Sequence, residues 1–276
     1  MEDKELIEKV LNTPVCIEEN NEHYICPFSQ AIKEPSKDLE GYNIYTFIIF
    51  TYPDDSPDYL TSGFRKMCID SWKKAFPRMR IVYIDVSQCI DICEWTRKHY
   101  IRKSFPTDPL RPLFLSFLSN GIYCDVDVYL RSDSRDSLML NLNSFIGKYG
   151  CSGTFLWNKL GYNSKLLDMY HVYDKYKDLP EEKTITDCEV FARNRNFLKS
   201  IYVMNTETIC NHFASIWLNI RDNKPFIISF DENLKGKKVW AKFSKESYET
   251  FIQYCKDKGY YDKYIVNESN DAIIFC

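Results

Sequence analysis

Ile44-Tyr45-Thr46-Phe47-Ile48-Ile49-Phe50 is a run of β-branched and aromatic residues, closed by the turn-forming stretch Tyr52-Pro-Asp-Asp-Ser-Pro57. A run this short and this apolar reads as a fully buried strand, since a half-exposed strand would alternate apolar with polar. Helical spacing follows from Thr61 to Phe76 and stops at Pro77. Arg80-Ile-Val-Tyr-Ile-Asp85 then reads as a second strand and Cys89 to Arg102 as another helix. Strand, helix, strand, helix is the signature of an α/β domain, with a mostly parallel central sheet flanked by helices and ligands held beyond the carboxyl ends of the strands.

Upstream, Glu2 to Leu11 has helical spacing before Pro14, and a polar stretch runs on to Glu40. Residues 1–40 are therefore expected to be a lead-in helix and linker, and 41–276 one α/β domain. Downstream, Pro112 to Asn120 suits a helix with Leu113, Phe114, Phe117 and Leu118 on its apolar side. Pro112 is tolerated in its first turn, and Asn120-Gly121 is its stop. Ile122-Tyr-Cys-Asp-Val-Asp-Val128 follows as a third strand. Further helices are expected at 163–176 and 244–258, and short strands at 226–230 and 272–275 within a C-terminal α/β extension, 226–276. The chain shows no internal repeat.

Composition excludes several function classes. With 276 residues, 45% of them hydrophobic, and only 9 Gly and 11 Pro, the chain can bury a core without staples and is neither collagen-like nor disordered. Lys plus Arg number 36 against 39 Asp plus Glu, a net charge of -3, so no global basic field invites nucleic acid. The longest apolar run, Tyr42 to Phe50, is far below the ~20 residues of a transmembrane span. The charged N-terminus has no apolar signal core, and the protein is expected in the cytoplasm, either free or at the membrane surface. Eleven cysteines without a CxxC pair read as buried or idle thiols in a reducing compartment. Aromatic residues make up 16% of the chain, which fits either an aromatic core or rings lining a flat-ligand site.

The strongest chemical feature is Asp125-Val-Asp127. In extended chain, residues two apart project from one face, about 7 Å from each other, and hard oxygen ligands so placed suit Mg²⁺ or Mn²⁺ held together with a phosphate. Such triplets also arise by chance in a chain this acidic. Here, though, the acids terminate an apolar strand, which drives them to a sheet edge. Just upstream, Asp108 and Arg111 are three apart and share a helical face. The plainer alternative is an Asp stabilising the helix end and an Arg paired with it.

Asp108-x-x-Arg111, a helix, and then Asn120-Gly-Ile-Tyr-Cys-Asp-Val-Asp-Val128 resemble the DXD sugar transferases related to the yeast initiating α-1,6-mannosyltransferase and the capsular-polysaccharide sugar transferases. The clostridial glucosylating toxins are more distantly similar. That family's signature is a Ser/Thr-Asp-x-x-Arg helix followed by Gly-Gly-Ile-Tyr-x-Asp-x-Asp. Ser71-Trp72-Lys-Lys-Ala-Phe-Pro77 resembles its Ser-Trp-x-x-x-x-Pro helix, and His212-Phe-Ala-Ser-Ile-Trp217 its late His-x-x-x-Ser-Trp block. The four motifs keep the family's order over residues 44–217. Asn120 stands in place of the first Gly of the pair, Ser215 is displaced from its place before the Trp, and the Thr-Gly-Pro that precedes the late block is absent.

The resemblance implies a GT-A fold and metal-dependent, retaining transfer of a sugar from a nucleotide-sugar donor, a UDP-sugar rather than GDP-mannose. The acceptor would be a glycan, lipid-linked or protein acceptor, as in polysaccharide biosynthesis, and the cofactor Mn²⁺ or Mg²⁺. By that likeness Asp127 is the principal metal ligand, Asp125 contacts ribose and the metal's water shell, and His212 is a late third ligand. Asp108 and Arg111 grip the sugar hydroxyls and the phosphate side of the donor, with the Tyr123 ring beside them. Trp217 contacts the leaving phosphate, Ser215 is a further substrate-binding residue, and Tyr52 stacks on the base. The alternative is a satisfied histidine near a core Trp for His212, and packing alone for Trp217. Two other functions remain open: a GT-A fold that binds without turnover, and a haloacid-dehalogenase-type phosphatase. The phosphatase expects Thr or Val where Tyr129 stands and a later Gly-Asp-x-x-x-Asp that the chain lacks. Dinucleotide-binding glycines, a P-loop, a GxSxG elbow and a HExxH helix are also absent from the sequence.

Overall fold

The computed structural model describes residues 3–33, 43–55, 59–61, 63–101, 106–126, 128–130, 144–146, 155–159 and 161–176, together with the short strands 202–203, 210–211, 226–229, 240–242 and 272–275. The chain divides into two compact units. One comprises Met1–Ser56, Arg78–Asp125 and Leu142–Met204, the other Pro57–Pro77, Val126–Asn141 and Asn205–Cys276.

The first unit opens with α1 (Asp3–Asn12), a hairpin of β1 (Pro14–Glu19) and β2 (Glu22–Pro27), α2 (Phe28–Lys33) and β3 (Tyr45–Thr51). After α3 (Gly63–Ala75), which belongs to the second unit, come β4 (Met79–Asp85), a 3₁₀ turn (Val86–Cys89), α4 (Glu94–Tyr100), α5 (Leu110–Leu115) and β5 (Gly121–Cys124). Beyond β6 (Val128–Leu130), also of the second unit, lie β7 (Ser144–Ile146), β8 (Phe155–Asn158), α6 (Ser164–Asp174) and β9 (Tyr202–Val203). Eight strands form one sheet in the order β2-β1-β4-β3-β5-β8-β7-β9. Its centre, β4-β3-β5, is parallel, with Phe47 opposite both Ile81 and Ile122. Following the pairings outward, β2, β7 and β9 point the same way as β3, while β1 and β8 run against it. This is the expected α/β class, a mostly parallel central sheet flanked by helices.

β3 is buried along Tyr45 to Ile49, as its unbroken apolar run requires. The first unit's core packs Val15, Ile17, Ile48, Val82, Ile84, Tyr123 and Leu156 of the sheet against α1, α2, α4, α5 and α6, with Trp95, Phe28, Phe114 and Tyr173 its large rings. Among the described residues six cysteines are free thiols, and Cys68, Cys89, Cys93 and Cys124 of these are buried. Burial pushes the Cys89 thiol well above the ordinary cysteine range and raises that of Cys93, which keeps them unreactive.

Three expectations change. The stretch 14–27, read as part of a linker, is a hairpin that joins the sheet through β1 and β4. Its turn is built by Asn20 and Asn21, both left-handed (φ 53° and 66°), as a two-residue hairpin requires. The helix expected over 89–102 is a 3₁₀ turn and then α4, with Cys93 at the N-cap. The strand expected over 122–128 ends at Cys124: the chain turns at Val126, and β6 pairs elsewhere. Extended-chain geometry therefore does not run on through Asp125.

In the second unit, β10 (Cys210–Asn211) and β12 (Trp240–Lys242) are parallel, and β12 pairs antiparallel with β6. β11 (Phe226–Ser229) and β13 (Ala272–Phe275), the expected C-terminal strands, pair antiparallel. In α3 the Ser71 hydroxyl donates to the Cys68 carbonyl at 2.5 Å, and Trp72 is fully buried. The helix expected at 244–258 lies outside the described residues.

Candidate active site

The site is built where α5 approaches the carboxyl end of β5. Side chains alternate along a strand, so Gly121 and Tyr123 lie on one face of β5, and Asp125, just past the strand's end, is held beside Tyr123 by the tyrosine hydroxyl. That face is covered by α5, because a Cβ on Gly121 would stand 2.7 Å from Leu118 Cβ and 2.8 Å from Leu115 Cδ1. Only glycine permits so close an approach. The preceding Asn120 is buried and left-handed, with φ 52°. Asn tolerates that region, which accounts physically for an Asn where the resembling family has Gly. Its carbonyl accepts from the Thr46 N–H at 3.1 Å and ties the turn to β3.

Arg111, in the first turn of α5, is the hub. Its Nη1 lies 3.1 Å from Asp108 Oδ1, its Nη2 3.9 Å from Asp125 Oδ1, and its guanidinium carbon 4.8 Å from the centre of the Tyr123 ring. The Asp108 side chain is 1% exposed, those of Arg111 and Asp125 12% and 16%. One carboxylate thus anchors the cation from inside the protein, and the other faces solvent at the sheet edge. The Tyr123 hydroxyl donates to Asp125 Oδ1 at 2.6 Å. Burial holds the Tyr123 phenol well above its ordinary range; the Arg111 charge opposes this, and the Asp125 and Asp108 charges add to it. Tyr123 therefore remains a protonated donor. Phe50, 6.0 Å from Tyr123 and 6.2 Å from Phe114 between ring centres, backs the cluster.

Tyr52 stands just past the end of β3, at the same edge of the sheet as the end of β5. Its ring stacks on Tyr100 (centres 6.2 Å apart, planes at 22°), and its N–H donates to Asp55 Oδ2 at 3.0 Å. The fold thus brings Asp108, Arg111, Tyr123 and Asp125 into one cluster, with Tyr52 just past the end of the neighbouring strand. Asp127, His212, Ser215 and Trp217 lie outside the described residues. Among the described residues no group of three or more His, Cys, Asp and Glu could hold a metal ion. Asp125 does suit a cation shared with a ligand, because Mg²⁺ is commonly held by one or two carboxylates together with substrate phosphates.

No family model matches the chain, and no curated protein does. Among solved structures it is similar to a crystal structure of a glycosyltransferase involved in the glycosylation of the major capsid of PBCV-1, at 9% identity and a TM-score of 0.41, over 76% of this chain and 98% of that one.

The supports of α5 come from residues that no local sequence pattern singles out. Asn158 Nδ2 donates to the Leu115 and Leu118 carbonyls at 3.0 and 3.2 Å, and its Oδ1 accepts from Asn163 Nδ2 at 3.0 Å. Asn163 also caps α6 through the Lys165 N–H at 3.1 Å, and its own N–H donates to the Ser116 carbonyl at 2.8 Å. These two buried amides satisfy the open carbonyls at the end of α5 and fix the helix to β8 and α6. The spacing Asn158 to Asn163 carries no sequence signal, since its partners are some 40 residues upstream. No helix among the described residues is long and apolar enough to cross a membrane.

Proposed function

We propose that the protein is a metal-dependent, retaining glycosyltransferase of GT-A type, with residues 41–276 as its catalytic region. It would move a sugar from a nucleotide-sugar, a UDP-sugar, to a glycan, lipid-linked or protein acceptor. The observation that carries this reading is an arginine set between a buried and a solvent-facing carboxylate, over a tyrosine ring, at the carboxyl edge of parallel strands. The four-motif resemblance supports the same reading.

Cleaving the bond from sugar to diphosphate develops negative charge on the leaving oxygen, and fixed donors aimed there lower the barrier. Arg111 offers a planar fork of N–H donors, held in place by Asp108, for donor phosphate or sugar oxygens. Asp125, oriented by Tyr123, accepts from the donor's ribose. A divalent cation, held by Asp125, Asp127 and His212, would supply electrostatic stabilisation of the diphosphate. Trp217 would donate to the leaving phosphate, Ser215 would be a further contact to substrate, and Tyr52 would carry the base. No carboxylate is assigned as a covalent nucleophile. The acceptor hydroxyl attacks from the face that the diphosphate leaves, and its proton passes to the leaving phosphate.

The test is a panel of nucleotide-sugars with Mn²⁺, read by donor hydrolysis and by the shift in melting temperature. One UDP-sugar is expected to be consumed and to raise the melting temperature. If no nucleotide-sugar does either, the reading fails.

A further inference from the structure

Asp125 Oδ1 already has a cation beside it: Arg111 Nη2 at 3.9 Å. The same oxygen accepts from the Tyr123 hydroxyl at 2.6 Å. Arg111 is tethered from behind by buried Asp108 and rests over the Tyr123 ring, so its charge stays at the site whatever binds to Asp125. A divalent ion arriving at Asp125 alone would meet a fixed like charge, and like charges at such range oppose each other strongly where water is partly excluded. A diphosphate removes that opposition, because its negative oxygens can face the metal and the guanidinium together.

We propose that Arg111 acts as a resident counter-ion to Asp125, which disfavours metal binding by itself and makes the divalent cation and the diphosphate enter the site as a coupled pair. The inference rests on the metal and nucleotide-sugar reading above and adds to it the order and coupling of binding. Coupling between two ligands is reciprocal, so UDP strengthens Mn²⁺ binding by the same factor as Mn²⁺ strengthens UDP binding. The arginine thus has opposite effects on two affinities. A residue with a purely structural role would weaken both when replaced.

The experiment measures Mn²⁺ binding to the full chain by calorimetry, without nucleotide and with saturating UDP, in wild type, Arg111→Gln, Asp108→Asn/Arg111→Gln and Asp125→Asn. Wild type is expected to bind Mn²⁺ weakly alone and at least tenfold more tightly with UDP. Arg111→Gln should bind Mn²⁺ alone roughly tenfold more tightly than wild type, as removal of a nearby like charge predicts, while UDP affinity falls and the UDP enhancement shrinks. The double variant no longer asks Asp108 to be buried beside a missing partner. Because it also deletes the more distant Asp108 charge, it should show a smaller tightening in the same direction, and it keeps the test decisive if Arg111→Gln unfolds. If Asp125→Asn abolishes Mn²⁺ binding but neither arginine variant tightens it, the coupling proposal is overturned and the metal reading stands. If wild type fails to bind Mn²⁺ even with UDP, or Asp125→Asn binds it like wild type, the metal reading fails and takes the coupling with it.

Discussion

Gly121→Ala tests whether the contact between α5 and β5 sets the site. The added Cβ would lie 2.7 Å from Leu118 Cβ and 2.8 Å from Leu115 Cδ1. Carbon atoms prefer about 3.5–4.0 Å, so relief takes about 0.8 Å. The Leu115 methyl can rotate away. Leu118 Cβ cannot, being fixed to the backbone, so the segment after α5 must move off β5. Overpacking of this kind costs about 1–3 kcal/mol, and Ala recovers about 0.4–1 kcal/mol by stiffening the unfolded chain. The net loss is about 1–2 kcal/mol, or roughly 3–6 °C in melting temperature for a domain of this size. The same shift carries Arg111 relative to Asp125 and should lower turnover by up to ~10²-fold. Gly161→Ala is the contrast. Its Cβ would meet nothing nearer than Ser119 Cβ at 3.9 Å, but its φ of +81° strains any side chain. It should lose about 1–2 kcal/mol of stability while UDP and Mn²⁺ binding persist. Thermal unfolding and nucleotide titration of both variants decide the matter. A Gly121→Ala protein that melts and binds like wild type would refute the close-approach argument.

Arg111→Gln removes the guanidinium facing a carboxylate that is 1% exposed and should cost about 3–5 kcal/mol, whereas Asp108→Asn leaves an Arg that still has Asp125 at 3.9 Å and should cost about 1–2 kcal/mol. A urea double-mutant cycle should find the double variant well short of additive; strict additivity would deny the pairing. Asn120→Ala should lose about 1 kcal/mol and Asn120→Gly little or nothing, because of the left-handed φ of 52°; equal melting of the two variants would contradict this. Asp127→Asn should abolish turnover while the protein still unfolds cooperatively near the wild-type temperature, and excess chelator should do the same to wild type. Full activity in either condition counts against a metal at this position.

The central strands were legible because β3 and β4 are short apolar runs punctuated by prolines, and α3 stops where Pro77 forces it to. β5 itself is legible, but its end is not, because Val126 and Val128 prolong the apolar alternation past the point where the chain turns. The β1–β2 hairpin escaped notice because β2 is almost wholly exposed and shows no apolar face. Asn20-Asn21, two adjacent residues tolerant of the left-handed region, was the available signal. In the site, the i,i+3 spacing of Asp108 and Arg111 and the closeness of Tyr123 to Asp125 in sequence could be read locally. That Arg111 lies over Tyr123 and faces Asp125 could not, since it depends on how closely Gly121 lets the helix approach. The Asn158–Asn163 pair depends wholly on tertiary return.

The most direct test is the rate at which Asp125→Asn consumes the nucleotide-sugar chosen by the panel, at donor and Mn²⁺ concentrations that saturate wild type. The substitution keeps the side chain's shape at a position 16% exposed and removes only its charge, so the fold should persist. A turnover at least ~10² to 10³ below wild type, the loss expected of one charged contact made in the transition state and of a weakened hold on the cation, is predicted. A wild-type rate would contradict the assignment of this cluster as the donor site.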